Sequence, residues 1–196
     1  MPLKPRSKIG PSIPLGAMVF TLPSPNYGKP SLLNFYEVEG LIKEFGKLLQ
    51  FILSENEYSD TAGIQGMEKD TIDFVSFFIA EWLYHPDVLK LLSEHWMTKK
   101  PLDDDVIDHL CTSIKHHMTG YRLCYQLYKS EFDLVFYGDE QDSWDTYEDS
   151  IRKNYLLLPK LNFDKAPLYF TEMMAGTEAA ATYCSIWAKM LGMVFK

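Results

Sequence analysis

Cysteine is scarce in this sequence. Three in 196 residues (Cys111, Cys124, Cys184) are too few and too scattered for a disulfide framework or a zinc ribbon. They read as buried thiols of a reducing compartment. Basic charge is also short. Lys and Arg number 19 against 27 Asp and Glu, a formal net charge of −8, which excludes nucleic acid as the main partner. No apolar run reaches the ~20 residues of a membrane span. A glycine-rich phosphate loop, an internal repeat, a low-complexity tract and a defensible Ser–His or Cys–His arrangement are all missing. What remains is a chain with 46% hydrophobic and 23% charged residues. That balance predicts a packed core and excludes disorder as the dominant state.

Residues 1–31 hold seven of the eleven prolines, and no acid precedes Glu37. This segment is expected to be an extended arm crossing another surface, with Ala17–Leu22 as its one strand candidate. Lys4, Arg6 and Lys8 make its start basic. Pro2, Pro5, Pro11 and Pro14 exclude the amphipathic helix that a mitochondrial presequence needs there. From residue 32 to 196 the pattern is helical, giving a second region. Asn34 and Glu37 form an N-cap and capping-box pair. Val38, Leu41, Ile42, Phe45, Leu48, Leu49 and Ile52 then recur at helical spacing, which predicts a helix over 35–53. Further helices are predicted over 69–84, over 86–97 with Pro86 in the first turn, and over 103–137 after Asp103, Asp104 and Asp105. Two more are predicted over 143–157, capped by Ser143 or Asp142, and over 168–195. The fold class is mainly α, with a small β element near the N-terminus.

The most informative segment is Lys43-Glu44-Phe45-Gly46-Lys47, with Lys29-Pro30-Ser31-Leu32-Leu33 upstream and Leu48-Leu49-Gln50 downstream. It resembles the thimet oligopeptidase family of zinc peptidases, which includes mitochondrial intermediate peptidase. In that family a K-P-S-L-L stretch leads into a helix carrying H-E-F-G-H. The two histidines, i and i+4, bind zinc, and the Glu between them is the general base. The family's third ligand is a Glu in the next helix, within a pattern like E-x-P-S-Q-x-x-E-N-W. Reading back from Glu81-Trp82 puts Asp73 at that ligand position. Matching Asp73-Phe74-Val75-Ser76 to the family's D-F-V-E puts Ser76 there instead. Further on, His85–Leu89, Thr98–Leu102 and Tyr183–Lys189 resemble the family's next helix, its T-G-x-P-L turn and its Y-S-Y-L-W-S-K. The likeness runs from about Leu15 onward and implies a helical half-lobe of a zincin-type oligopeptidase. Family members are several times longer, with two lobes around a deep channel. Their other parts have no counterpart here, so exposed apolar contact surface is expected.

Both histidine positions are lysine. A protonated lysine has no lone pair to offer a metal, and two of them repel a dication. Without a metal, Glu44 lacks the activated water on which it would act. Active members also carry a His and a Tyr before the last helix. Here Phe170–Tyr183 contains no His, and Glu178 falls near the Tyr position. The resemblance therefore implies a degenerate site (Lys43, Glu44, Lys47, Asp73) with no metal and no cofactor. The lysines are expected either to replace the metal's charge, through a Lys43–Asp73 or Lys47–Asp73 contact, or to extend into water. The implied function is an inactive peptidase-like protein, a structural subunit among other protein subunits of a larger complex. A mitochondrial respiratory, ATP-synthase or ribosomal complex is the favoured home, with a place peripheral to a membrane complex among the expectations and a cytoplasmic location as the alternative. Two other readings stand beside it: a non-cleaving peptide-binding module, and a metallopeptidase with relocated ligands such as a His109/His116 face. Glu94-His95 reads as helix surface. Met173, Met174, Met190 and Met193 read as core or contact surface. The acidic run Asp139–Asp149, with Trp144 and Tyr147, reads as a solvated stretch or a dock for a basic partner.

Overall fold

A computed structural model describes residues 2–138 and 143–195, apart from the Gln65 side chain. The Asp142 cap and the start of the acidic run, residues 139–142, lie outside the described residues. Two compact units are present: Met1–Lys115 with Ala188–Lys196, and His116–Trp187.

The first unit begins with a small antiparallel pair, β1 (Pro2–Lys4) and β2 (Leu15–Gly16), in which Pro2 faces Gly16 and Lys4 faces Leu15. The predicted strand at Ala17–Leu22 is not formed. The pairing lies earlier because the chain turns back over residues 5–14, where Ser7 bridges Ser12. The arm lies along its own unit. Lys8 N and Ile9 N donate to Glu57 O, and Lys8 pairs with Glu55 at 3.1 Å.

α1 spans Phe35–Leu53, as its periodicity predicts. Its capping box is complete: Glu37 N donates to Asn34 Oδ1 at 3.0 Å, and Asn34 N donates to Glu37 Oε2 at 2.7 Å. α2 (Phe74–Trp82) begins later than predicted, because turns occupy residues 69–73. α1 and α2 approach closely at Gly46, where a Cβ would lie 2.7 Å from Ser76 Cα. α3 (Pro86–Leu92) stops short of the predicted Met97. There the chain folds back, with His95 N donating to Lys100 O. Glu94-His95 is therefore loop, and not the helix surface read from the sequence. α4 is Asp104–His109, with Asp103 at its N-cap. Leu83, Leu89 and Ile107 form the buried core here, joined by Phe35 and Val38.

The predicted helix over 103–137 is interrupted. A π-helical turn at Leu110–Ile114 and a left-handed Met118 (φ 56°) precede α5 (Thr119–Gly138). The second unit packs α5 against α6 (Trp144–Tyr155) around Tyr128, Phe132, Ile151, Phe170 and Met173. The predicted final helix is also divided. A 3-10 turn at Ala166–Tyr169 and α7 (Thr171–Ala175) come first, and α8 covers Cys184–Val194. The buried Asp133 carboxylate explains the break. It accepts from Ala180 N and Thr182 N, both at 3.0 Å, and holds Ala180 at φ 52°. No helix among the described residues is long and apolar enough to cross a membrane.

Candidate functional site

The site is carried by one face of α1 and the start of α2. Lys43 and Lys47 are i and i+4, so they rise from the same stripe of the helix. Asp73 occupies the N-cap position of α2. The close approach at Gly46 brings the two elements together. It is reinforced by Ser76, whose buried hydroxyl donates to Lys43 O at 2.9 Å.

Lys47 Nζ lies 3.2 Å from Asp73 Oδ1 and 3.4 Å from Glu44 Oε1. One of the two contacts expected from the sequence, Lys47–Asp73, is thus present. Partial burial works against the ammonium charge, but Asp73 and then Glu44 outweigh it and hold Lys47 above the ordinary lysine pKa of 10.5. Lys43 turns elsewhere. Its Nζ is 2.7 Å from Glu39 Oε1 and 5.3 Å from the centre of the Phe77 ring. Glu39 was not singled out from the sequence, although its i, i+4 spacing to Lys43 was the available signal. Glu39 also accepts from the Tyr84 hydroxyl at 3.3 Å. Burial first, and the Glu39 carboxylate next, push that phenol well above its usual value of 10.0.

These residues do not fit a zinc centre. The positions that would supply imidazole nitrogens carry protonated amines, donors only, and Lys47 is held in that state. Asp73 is the residue that meets a lysine, whereas the Ser76 hydroxyl is spent on the α1 backbone. Among the described residues, no group of three or more His, Cys, Asp and Glu could hold a metal ion. His109 is the last residue of α4, and a π-helical turn separates it from His116 along the chain. Glu178 lies in the turn held by Asp133, in the second unit. Trp144 and Tyr147 pack against the second core, with Tyr147 5.4 Å from the Phe132 ring, so they are not displayed among the acids for docking.

Above the lysines lies an open cavity of about 360 Å³. Its walls come from α1, from Asp73, Ser76 and Phe77, and from the extended Phe20–Leu22 of the arm.

Comparison with known proteins gives this arrangement its context. The chain is 29% identical over 184 residues to organellar oligopeptidase A, chloroplastic/mitochondrial, of Arabidopsis thaliana, covering 91% of this chain and 23% of the relative. It is 28% identical over 182 residues to oligopeptidase A of Salmonella typhimurium, covering 91% and 27%. It is 28% identical over 137 residues to mitochondrial intermediate peptidase 2 of Cryptococcus neoformans, covering 68% and 16%. The chain spans about a quarter of the length of the first two relatives. The description of Peptidase family M3 matches residues 4–195, nearly the whole chain, and the chain therefore belongs to peptidase family M3.

Proposed function

We propose that this chain is a catalytically inactive member of its family that serves as a structural subunit of a larger protein assembly in mitochondria. The observation that carries the inactivity is the position of Lys47, a tethered cation between Asp73 and Glu44. An ammonium there pairs with both carboxylates and offers no open position for a water. Glu44 is left as an ion-pair partner instead of a base.

The assembly role is supported by apolar side chains turned outward in both units. In the second unit Leu157 is fully exposed, and Phe163 and Tyr169 are 81% and 82% exposed. In the first unit Leu91 and Val194 are similarly uncovered. Uncovered apolar side chains in this number support a role in contacts. The mitochondrial placement draws on the names of the organellar and mitochondrial relatives.

Metal analysis and peptide hydrolysis by the purified chain test the first part. The expected result is neither bound zinc nor turnover. Stoichiometric zinc, with hydrolysis abolished by Glu44→Gln, would overturn it. Native electrophoresis of a mitochondrial extract tests the second part, and migration as a free monomer would overturn that. The cavity beside the lysines favours a second reading, a module that binds a peptide segment without cutting it.

A further inference from the structure

The cavity over α1 carries more than its volume. Its walls hold two cations, Lys43 and Lys47, and three anions, Glu37, Glu44 and Asp73. Neither cation is available to an incoming group. Lys47 is shared between Asp73 and Glu44, and Lys43 is taken by Glu39 and the face of Phe77. The anions are less fully used. Glu37 is committed to the capping box, but the Glu44 side chain is half exposed and meets Lys47 only at 3.4 Å. The lining therefore has an excess of one negative charge, and the exposed end of that charge is Glu44. Around it stand apolar walls, Phe20 and Leu22 on the arm and Leu41 on α1.

A negative rim on an apolar trough selects a particular chemistry. An anion would have to displace an existing ion pair to reach a lysine. A cation on a long apolar stem can lay the stem on the walls and bring its charge to Glu44. We propose that the cavity receives an arginine or lysine side chain presented by an extended segment of a partner protein. The segment rests on the peptide-binding reading above and names the class of peptide it takes. The volume suits one or two side chains, with the remainder of the segment running outside it.

Fluorescence anisotropy with the full chain tests this, using three labelled peptides of sequence Ala-Leu-X-Leu-Ala in which X is arginine, norleucine or glutamate. The arginine peptide is expected to bind about tenfold more tightly than the norleucine peptide, and the glutamate peptide most weakly. Glu44→Gln is expected to abolish the difference between arginine and norleucine. Equal binding of arginine and norleucine, a preference for glutamate, or an arginine preference that survives Glu44→Gln would overturn the proposal. So would butylguanidinium alone binding as tightly as the arginine peptide, which would make the ligand a small organic cation. Binding of no peptide at all would overturn the peptide-binding reading as well. The inactive-subunit reading is judged separately by zinc content and turnover.

Discussion

In the first unit Lys47 sits between Asp73 and Glu44, and all three side chains are one-third to one-half exposed. In the second unit Lys160 sits between Glu148 and Asp149, and Glu148 is completely buried. Glu148 also accepts from the Tyr128 hydroxyl at 2.6 Å and lies 3.6 Å from Arg152 Nη1. Arg152 in turn reaches Asp164 at 2.9 Å. The two clusters use the same groups, one lysine bridging two carboxylates, and differ in access to water. Charges in water are already solvated, so bringing them together gains little. A buried carboxylate has lost its water and depends on every partner it has. The exposed cluster is thus expected to contribute little to stability, while removing one partner from the buried cluster, outside the Lys43–Lys47 motif, is expected to cost much more.

The sharpest way to break this contrast is Glu148→Ala. It leaves the buried Tyr128 hydroxyl without its acceptor, takes one of two carboxylates from both Lys160 and Arg152, and opens a cavity, and is expected to cost about 3–5 kcal/mol, read by urea unfolding. Gly46→Ala should come next, at about 1–3 kcal/mol, because the new Cβ meets backbone at 2.7 Å and backbone cannot rotate away. Asn34→Ala removes the α1 cap, with a thermal-melt loss of about 1 kcal/mol. Lys47→Met should change stability by less than about 1 kcal/mol, since the pair it breaks is more than one-third exposed. A Lys47→Met loss as large as that of Glu148→Ala would remove the distinction between the clusters.

Alkaline pH sharpens the same comparison. Burial first, and the bond to Glu148 next, raise the Tyr128 phenol far above 10.0 in the folded chain. The folded state thus prefers the protonated phenol. Its contribution is full below the unfolded value near 10 and is lost as pH rises above it. Lys47, also raised, acts in the same direction from 10.5 upward, but more weakly because it is partly exposed. The slope of stability against pH above 10 is expected to flatten in Tyr128→Phe and to change little in Lys47→Met.

Local signals in the sequence were reliable where one helix carried them. Asn34, Glu37 and the apolar spacing that follows define α1 to the residue, because capping and periodicity act within a few positions. The lysines of the altered motif and Asp73 were legible too, and the Lys47–Asp73 pair is formed. The remainder depended on distant partners. Nothing near Ala180 announces that Asp133, 47 residues earlier, holds its backbone in a left-handed turn. The π-helical turn at Leu110 follows no local breaker, and the helical pattern runs straight through it. Glu148 reads as one more acid of a solvated run, because burial is a property of the packed unit and not of the neighbouring residues.

At Gly46 a hydrogen atom in place of a side chain sets the spacing of two helices, and that demand is independent of any reaction the helices once supported. A stretch reading Glu-Phe-Gly is therefore held in place by packing, whatever chemistry its neighbours perform. A survey that reads such a stretch as a sign of protease activity learns more from the residues that flank it, here Lys43 and Lys47, than from the glycine.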